Sequence, residues 1–526
     1  MNSLIENHTR LIQSLRHGAV WPEGKGPDQV IETHISTVLL VGDYAYKIKK
    51  PLDLGFLDFS TLTRRHHFCQ EEVRLNGRLA PDIYLDVIPI TGSVESPRPF
   101  GEGEAINYAV RMRRFDQAGL LAAHPELLSR DQIDCLADQL VSFHESIAVA
   151  GAETPFGDPA VVAQPMWENF SQLRGLLDDP TLLDSLKVVE QWTEAQAVRL
   201  SPILKQRKAA GFIRECHGDL HLGNIALEGD RLLIFDGIEF NPDLRWIDVI
   251  SELAFLLMDL DEKGLRALAQ RLLNRYLELS GDYAALPLLR FYQVYRAMVR
   301  AKVTAIRLNQ QLEPAAQPPL KRALTQYLDL AMSYMAPQAT GLIITQGLSG
   351  SGKSTHTQVC LETLPAIRIR SDVERRRLAG LAPSQPSDSD IDAGIYQAAF
   401  TQKTYQHLLA LARLIIDAGW VAIVDATFLR KRDRACFRQL AEAKHLPFLI
   451  LEFKLSEEEL RARIIRRQEQ GLDPSEATVE VLEKQIQTVQ PVSGEEQQDA
   501  LLIVSDHLPM EQIAARIEGV SLSRET

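Results

Sequence analysis

The sequence predicts two domains, an α+β domain followed by an α/β domain of the parallel-sheet type. Three observations predict this. The chain has 526 residues, more than one hydrophobic core usually organises. Its opening alternates like β-strands, and from about residue 116 to 334 the apolar spacing becomes mainly helical. Beyond Pro337 a sharply apolar run, residues 342–345, opens a regular succession of strands and helices, the pattern of a parallel sheet with crossover helices. The boundary is placed near Pro337, giving domains 1–336 and 337–526.

Residues 38–42 and 44–50 read as two strands around a turn at Asp43, stopped by Pro51, which makes a hairpin. A helix follows over 63–79, before Pro81. On it Phe68, Glu72, Leu75 and Leu79 share one face. Glu72 is thus a carboxylate on an otherwise apolar stripe, where it would want a cationic partner; Glu71 is its competitor. Another strand pair flanks the polar loop 91–104 and ends in residues 108–115. The helical region is interrupted near 213–240 by two short apolar strand-like runs, and a stretch rich in proline and glutamine, 310–319, precedes its last helix. No repeat at solenoid periods occurs.

Composition narrows the function classes. With 45% hydrophobic and 24% charged residues, the chain is neither disordered nor fibrous. No apolar run approaches the roughly 18–20 residues of a membrane span. The opening MNSLIENHTR lacks the apolar segment of a secretory signal. Five scattered cysteines without a C-x-x-C read as reduced thiols, with no disulfide framework and no metal cluster. A cytoplasmic protein is expected. The net charge is −13, and both halves are acidic, so neither has the basic excess that grips long nucleic acid.

The densest chemistry of the first domain is His217-Gly218-Asp219-Leu220-His221-Leu222-Gly223-Asn224, followed by Phe235-Asp236-Gly237. Phosphoryl transfer needs a group that orients the acceptor hydroxyl, oxygen ligands for Mg²⁺, and a cation on the ATP phosphates. An Asp with an Asn five residues on can serve the acceptor and the metal, and a short hairpin returns a second carboxylate. His-Gly-Asp-Leu-His-x-Gly-Asn resembles the aminoglycoside phosphotransferase-like kinases, including the choline and fructosamine kinase relatives. The resemblance implies a bilobal, protein-kinase-like fold over roughly residues 25–335, with Asp219 as catalytic base and Asn224 and Asp236 on Mg²⁺. It also implies a phosphate-binding lysine and a helical glutamate. Within Tyr46-Lys47-Ile48-Lys49 that lysine is assigned to Lys49, with Lys47 on the same strand face as the alternative; Glu72 is its partner. No G-x-G-x-x-G precedes Lys49, and residues 33–36 take the place of that loop. Residues 108–113 look like the lobe-connecting hinge.

In the second domain Gly347-Leu348-Ser349-Gly350-Ser351-Gly352-Lys353-Ser354 matches G-x-x-x-x-G-K-[ST], with an apolar strand before it and a helix-compatible stretch after. Gly347, Gly350 and Gly352 let backbone N–H groups wrap phosphates, Lys353 reaches the β/γ oxygens and Ser354 ligates Mg²⁺; Thr355 follows in the same nucleotide-binding turn. The next strand ends at Ser371-Asp372, where a carboxylate at a strand's carboxyl end could work on an acceptor hydroxyl, with Arg375 one turn on as a phosphate clamp. A further strand ends in Asp425, a carboxylate beside the loop. Arg461, Arg463, Arg466 and Arg467 crowd one segment that could close over ATP, or simply form a solvated helical face. Together these motifs resemble the small P-loop kinases of the polynucleotide kinase, zeta-toxin and gluconate kinase type over about residues 340–520. That resemblance carries over Asp372 as base or acceptor ligand, Arg375 as clamp, and Arg463 and Arg467 as lid. The whole resembles a family of bifunctional fusions, kinase plus ATP-binding domain. The expected function is two ATP/Mg²⁺-dependent phosphotransferase centres acting on small-molecule or nucleotide hydroxyls. The alternatives are a regulator, in which one domain senses nucleotide while the other catalyses, and a toxin-like polynucleotide or nucleotide-sugar kinase.

Overall fold

The computed structural model describes residues 2–55, 57–310, 313–382, 385, 397–470, 478–504 and 508–522. They form two compact units. The first comprises residues 1–132, 142–263 and 295–328, and the second 133–141, 264–294 and 329–526.

The first unit opens with α1 (Asn2–His17) and a six-stranded antiparallel sheet: β1 (Gln29–Glu32), β2 (Ser36–Val41), β3 (Tyr44–Lys49), β4 (Tyr84–Gly92), β5 (Pro97–Pro99) and β6 (Ala105–Arg113), in the order β1-β2-β3-β6-β4-β5. Between β3 and β4 lies α2 (Leu62–Asn76), which starts where the Thr61 hydroxyl accepts from the Arg64 N–H. The hairpin expected around Asp43 is β2–β3, with Val41 opposite Tyr44. Alternation along β3 sends Tyr46 and Ile48 into a core with Trp21, Leu39 and Ile88. Lys47 and Lys49 therefore point to the other face, where α2 packs. Residues 108–113 are not a hinge. They lie inside β6, where residues 110–113 pair with β3 and residues 108–112 with β4, since alternation alone does not tell a connector from a strand; β6 ends at Arg113, and the Arg114 N–H donates to Asp43 O.

Helices α3 (Arg130–Ser146), α4 (Pro159–Leu176) and α5 (Pro180–Ala209) lead to β7 (Ile213–Glu215) and to the hairpin of β8 (Ile225–Glu228) and β9 (Arg231–Ile234). A short α6 (Pro242–Arg245) and β10 (Trp246–Asp248), which pairs with β7, precede α7 (Val249–Glu262). Residues 249–260 of α7 are all buried, as its nearly continuous apolar sequence requires. Then come α8 (Arg266–Ser280), α9 (Leu286–Gln310) and α10 (Gln317–Met335).

The second unit is built on a five-stranded parallel sheet, β11 (Gly341–Gln346), β12 (Ala366–Arg370), β13 (Val421–Asp425), β14 (Phe448–Phe453) and β15 (Ala500–Ile503), in the order β12-β13-β11-β14-β15. Around it run α11 (Lys353–Thr363), α12 (Ser371–Leu378), α13 (Ala398–Asp417), α14 (Lys431–Ala443), α15 (Glu457–Gln470), α16 (Val479–Thr488) and α17 (Met510–Leu522). Ile343, Ile423, Leu449 and Leu451 form its core, apolar on both faces because helices cover both. The 1–336/337–526 partition cuts through this unit. The reason is α8, which lies against α11 and β12. Asn274 completes the edge of β12 by donating to Ala366 O and accepting from the Arg368 N–H, at 3.0 and 2.9 Å. Arg271 pairs with Glu362, and Arg290 donates to Gly419 O. Among the described residues no helix is long and apolar enough to cross a membrane, and the five cysteines are unpaired.

Candidate functional site

The 217–224 motif is the loop between β7 and β8, and its backbone is held from several sides. Gly218 adopts a left-handed conformation, and a Cβ there would come within 2.8 Å of Leu244 O, so only glycine fits. Its N–H donates to Glu252 Oε2 at 2.7 Å and its carbonyl accepts from Arg296 at 3.2 Å. Asp259, one helical face along α7, accepts from the Leu222 N–H. Glu252 also meets His144 Nε2 at 3.0 Å, and Cys216 joins these two in a buried group within 4.8 Å. Burial pushes the Cys216 thiol well up, so it stays protonated, and the trio buttresses the loop from behind.

Asp219 projects from that loop with a partly exposed side chain. The Gly223 N–H donates to His221 Nδ1 at 3.0 Å, which leaves the neutral ring's proton on Nε2. That nitrogen stands 3.4 Å from Asp219 Oδ2. Burial works against the Asp219 charge, but His221, with His217 and Arg296 behind it, outweighs burial and holds the carboxyl well below the usual range. Asn224 turns its amide Nδ2 to Asp219, 2.9 Å from O and 3.1 Å from Oδ2, and to Asp236 O, which leaves Oδ1 on the other side of the amide. Asp236 has φ 62, a left-handed conformation that aspartate tolerates better than most residues. Its Oδ1 accepts from Lys47 at 2.6 Å.

The sequence left two lysines open, and the structure separates them. Lys47 Nζ lies 2.6 Å from Asp236 and 2.7 Å from Glu72 Oε1. Lys49 is wholly buried, against Glu72 Oε2 at 2.5 Å, Glu239 and the face of Phe59. The residue assigned to phosphate, Lys49, is thus sealed behind the one named as its alternative. Glu72 is the glutamate between them, while Glu71 pairs with Arg74. Burial disfavours the charge of both lysines, yet the carboxylates prevail and hold both above the ordinary value. Glu239 has no periodicity or motif to mark it in the sequence.

In the second unit the strand, loop and helix of the G-x-x-x-x-G-K-S motif are β11, residues 347–352 and α11. Gly352 is left-handed, and a Cβ there would meet Arg463 Nη1 at 3.2 Å, so Arg463 does lie over the loop. Gly347 and Gly350 are equally confined, by Phe453 and by Leu460 and Ile464. Lys353 Nζ donates to the carbonyls of Gly347 and Leu348, at 3.1 and 2.8 Å. Ser354 Oγ donates to Asp425 Oδ2 at 2.6 Å; a hydroxyl and a carboxylate this close are the hard oxygen donors that suit Mg²⁺. Thr355 is exposed in the first turn of α11 and Asp372 half-buried in the first turn of α12. Arg375 is buried and donates to Thr401 in α13. The Arg467 side chain lies outside the described residues. Sequence reasoning missed Gln485, which bonds both the N–H and the hydroxyl of Ser349. It also missed Arg368, whose Nη1 donates to Ser354 O at 2.9 Å.

Residues 64–289 match the phosphotransferase enzyme family APH, and residues 342–492 match an AAA domain, AAA_33. Uncharacterized protein Rv2004c of Mycobacterium tuberculosis is 32% identical over 429 residues, covering 81% of this chain and 83% of that one, and so is Uncharacterized protein Mb2027c of Mycobacterium bovis. Among solved structures, the GDP and kanamycin complex of APH(2")-IIia is 13% identical with a TM-score of 0.38, covering 63% of this chain and 98% of that one. Kti12 of Chaetomium thermophilum with ADP-AlF3 is 16% identical with a TM-score of 0.27, covering 34% and 98%.

Proposed function

The chain belongs to the family of the mycobacterial protein Rv2004c and carries a phosphotransferase-family region ahead of an AAA domain; from that premise we propose a bifunctional kinase with two ATP/Mg²⁺-dependent centres. Each transfers the γ-phosphoryl of ATP to a hydroxyl of a small molecule or nucleotide. The observation that carries this reading is the convergence, in each unit, of a phosphate-type cation and hard oxygen ligands from distant segments. In the first, Lys47 meets Asp236 while Asn224 bridges to Asp219. In the second, Ser354 meets Asp425 beside Lys353.

At the first centre Asp219, kept ionised by His221, orients the acceptor hydroxyl and takes its proton as the phosphoryl group leaves. Lys47, not the sealed Lys49, faces the phosphates, and Glu72 fixes it there. At the second, Lys353 and Arg463 bind phosphate oxygens and Asp372 orients the acceptor. Mg²⁺, when bound, neutralises charge on the phosphates. The remaining work is positioning, which is most of catalysis for this reaction.

The test is acceptor-dependent ADP release from pooled metabolites, with full-length wild type and with Asp219→Asn, Lys353→Ala and Asp372→Ala. Two activities should separate: one lost only in Asp219→Asn, the other lost in Lys353→Ala and Asp372→Ala. Acceptor-dependent release that survives unchanged in Asp372→Ala would assign that residue to structure and leave the second centre as a nucleotide sensor.

A further inference from the structure

The second centre is held from outside its own motifs, by a carboxylate on α8. Glu278 is nearly buried and faces two arginines of β12. Its Oε1 accepts from Arg370 Nη1 at 3.3 Å, and its Oε2 lies 3.6 Å from Arg368 Nη2. Each arginine continues to the same residue of the P-loop. Arg368 Nη1 donates to Ser354 O at 2.9 Å. Arg370 sits opposite Asp425 in the strand register, with Nε 4.0 Å from Asp425 Oδ2, and that oxygen accepts from Ser354 Oγ at 2.6 Å. One carboxylate therefore governs both the backbone and the side-chain environment of Ser354.

We propose that Glu278 is a positioning residue for the Mg²⁺·nucleotide site of the second unit, acting through Arg370 on Asp425. The inference rests on reading Ser354 and Asp425 as that site. Its logic is charge competition. Glu278 and Asp425 share the Arg370 guanidinium, and Glu278 has the closer contact, which keeps Asp425 available to a cation. Without the Glu278 charge, the Arg370 guanidinium, already 4.0 Å from Asp425 Oδ2, is less neutralised and competes there with Mg²⁺. Residues one shell behind metal ligands commonly govern affinity by about 10- to 100-fold.

The experiment titrates Mg²⁺ in the presence of a fluorescent ATP analogue on full-length protein, counting as second-centre binding the part that Lys353→Ala removes. Glu278→Gln should raise the Mg²⁺ concentration for half-saturation by about 10-fold or more. Adding Arg370→Gln to it removes the competitor and should bring the midpoint back toward wild type. Asn274→Ala, four residues away on α8 and bonded only to strand backbone and to its own helix, should lower the melting temperature without moving the Mg²⁺ midpoint. If Glu278→Gln does not fold, Glu278→Asp should shift the midpoint the same way by less. A Glu278 variant that, like Asn274→Ala, changes only the melting temperature would overturn the inference, as would a shift that Arg370→Gln does not reverse. If Lys353→Ala removes no binding, the nucleotide-site reading itself fails, a result distinct from either.

Discussion

The two lysines of β3 give the sharpest test of the first centre, because replacing each should do a different kind of damage. Lys49→Met removes a wholly buried ammonium from between Glu72 and Glu239. Glu72 keeps Lys47 as a partner; Glu239 loses its salt-bridge partner and retains the weaker attraction of Lys47. Removing one member of a buried pair in this way costs about 3–5 kcal/mol. At roughly 2–4 °C per kcal/mol for 150–250 residues, and toward the lower end for the larger first unit, the melting temperature should fall by on the order of 10 °C. The loss also has a pH signature. Burial already pushes Glu239 above the ordinary glutamate value, and losing Lys49 pushes it further. A folded-state pKa above the unfolded one means the folded state holds more protons, so stability falls as pH rises from about 4.3 toward the raised value. The melting deficit should therefore be smaller at pH 5 than at pH 8. Lys49→Met/Glu239→Met, which replaces the pair with apolar side chains, should recover most of the loss. Lys47→Met should instead melt closer to wild type and lose at least about 10²-fold in turnover, as expected for a missing group on a developing phosphate charge. Differential scanning calorimetry at both pH values and ADP-release kinetics decide it. A Lys49→Met protein that melts like wild type but no longer binds ATP would refute the assignment.

Four further outcomes follow from the geometry. Asp219→Asn should cost about 10²–10⁴-fold in transfer and leave nucleotide affinity, measured by calorimetric titration, within a few-fold of wild type. His221→Ala removes the largest of the groups that oppose the burial of Asp219, leaving His217 and Arg296, so the acid limb of the first centre's kcat/KM profile should move to higher pH; an unmoved limb would mean His221 does not set the Asp219 charge. Gly352→Ala puts a methyl 3.2 Å from Arg463 Nη1 at a left-handed residue and should abolish second-centre ATP binding. A fragment 337–526 lacks α8, so β12 loses both Asn274 bonds and two arginines lose Glu278; it should melt well below a fragment 264–526.

What the sequence made legible was local. The β2–β3 hairpin, the helix carrying Glu72, the 217–224 loop and the P-loop all announce themselves through spacing, because turn chemistry and phosphate binding need fixed residues at fixed intervals. The choice between Lys47 and Lys49 was not legible. Both lie on one face of β3, and what distinguishes them is the approach of Asp236, 189 residues further along the chain. Residues 108–113 failed for the opposite reason, since alternation fixes a strand's faces but says nothing about whether both edges are paired.

The same limit explains the second unit. Composition marks residues 310–337 as a junction, and the motifs on either side belong to different families, so dividing the chain there follows from sequence alone. Apolar periodicity on α8 shows that the helix has a buried face without naming what buries it. The overlooked signal was polar: Asn274 and Glu278, four residues apart, sit among Leu272, Leu273 and Leu277. An amide and a carboxylate there must find partners or carry the cost of burial. Those partners are the edge of β12 and the arginines behind Ser354. A helix within the residues that match the phosphotransferase family is therefore also part of the P-loop unit, and substitutions on its buried face should register first in that unit's melting temperature.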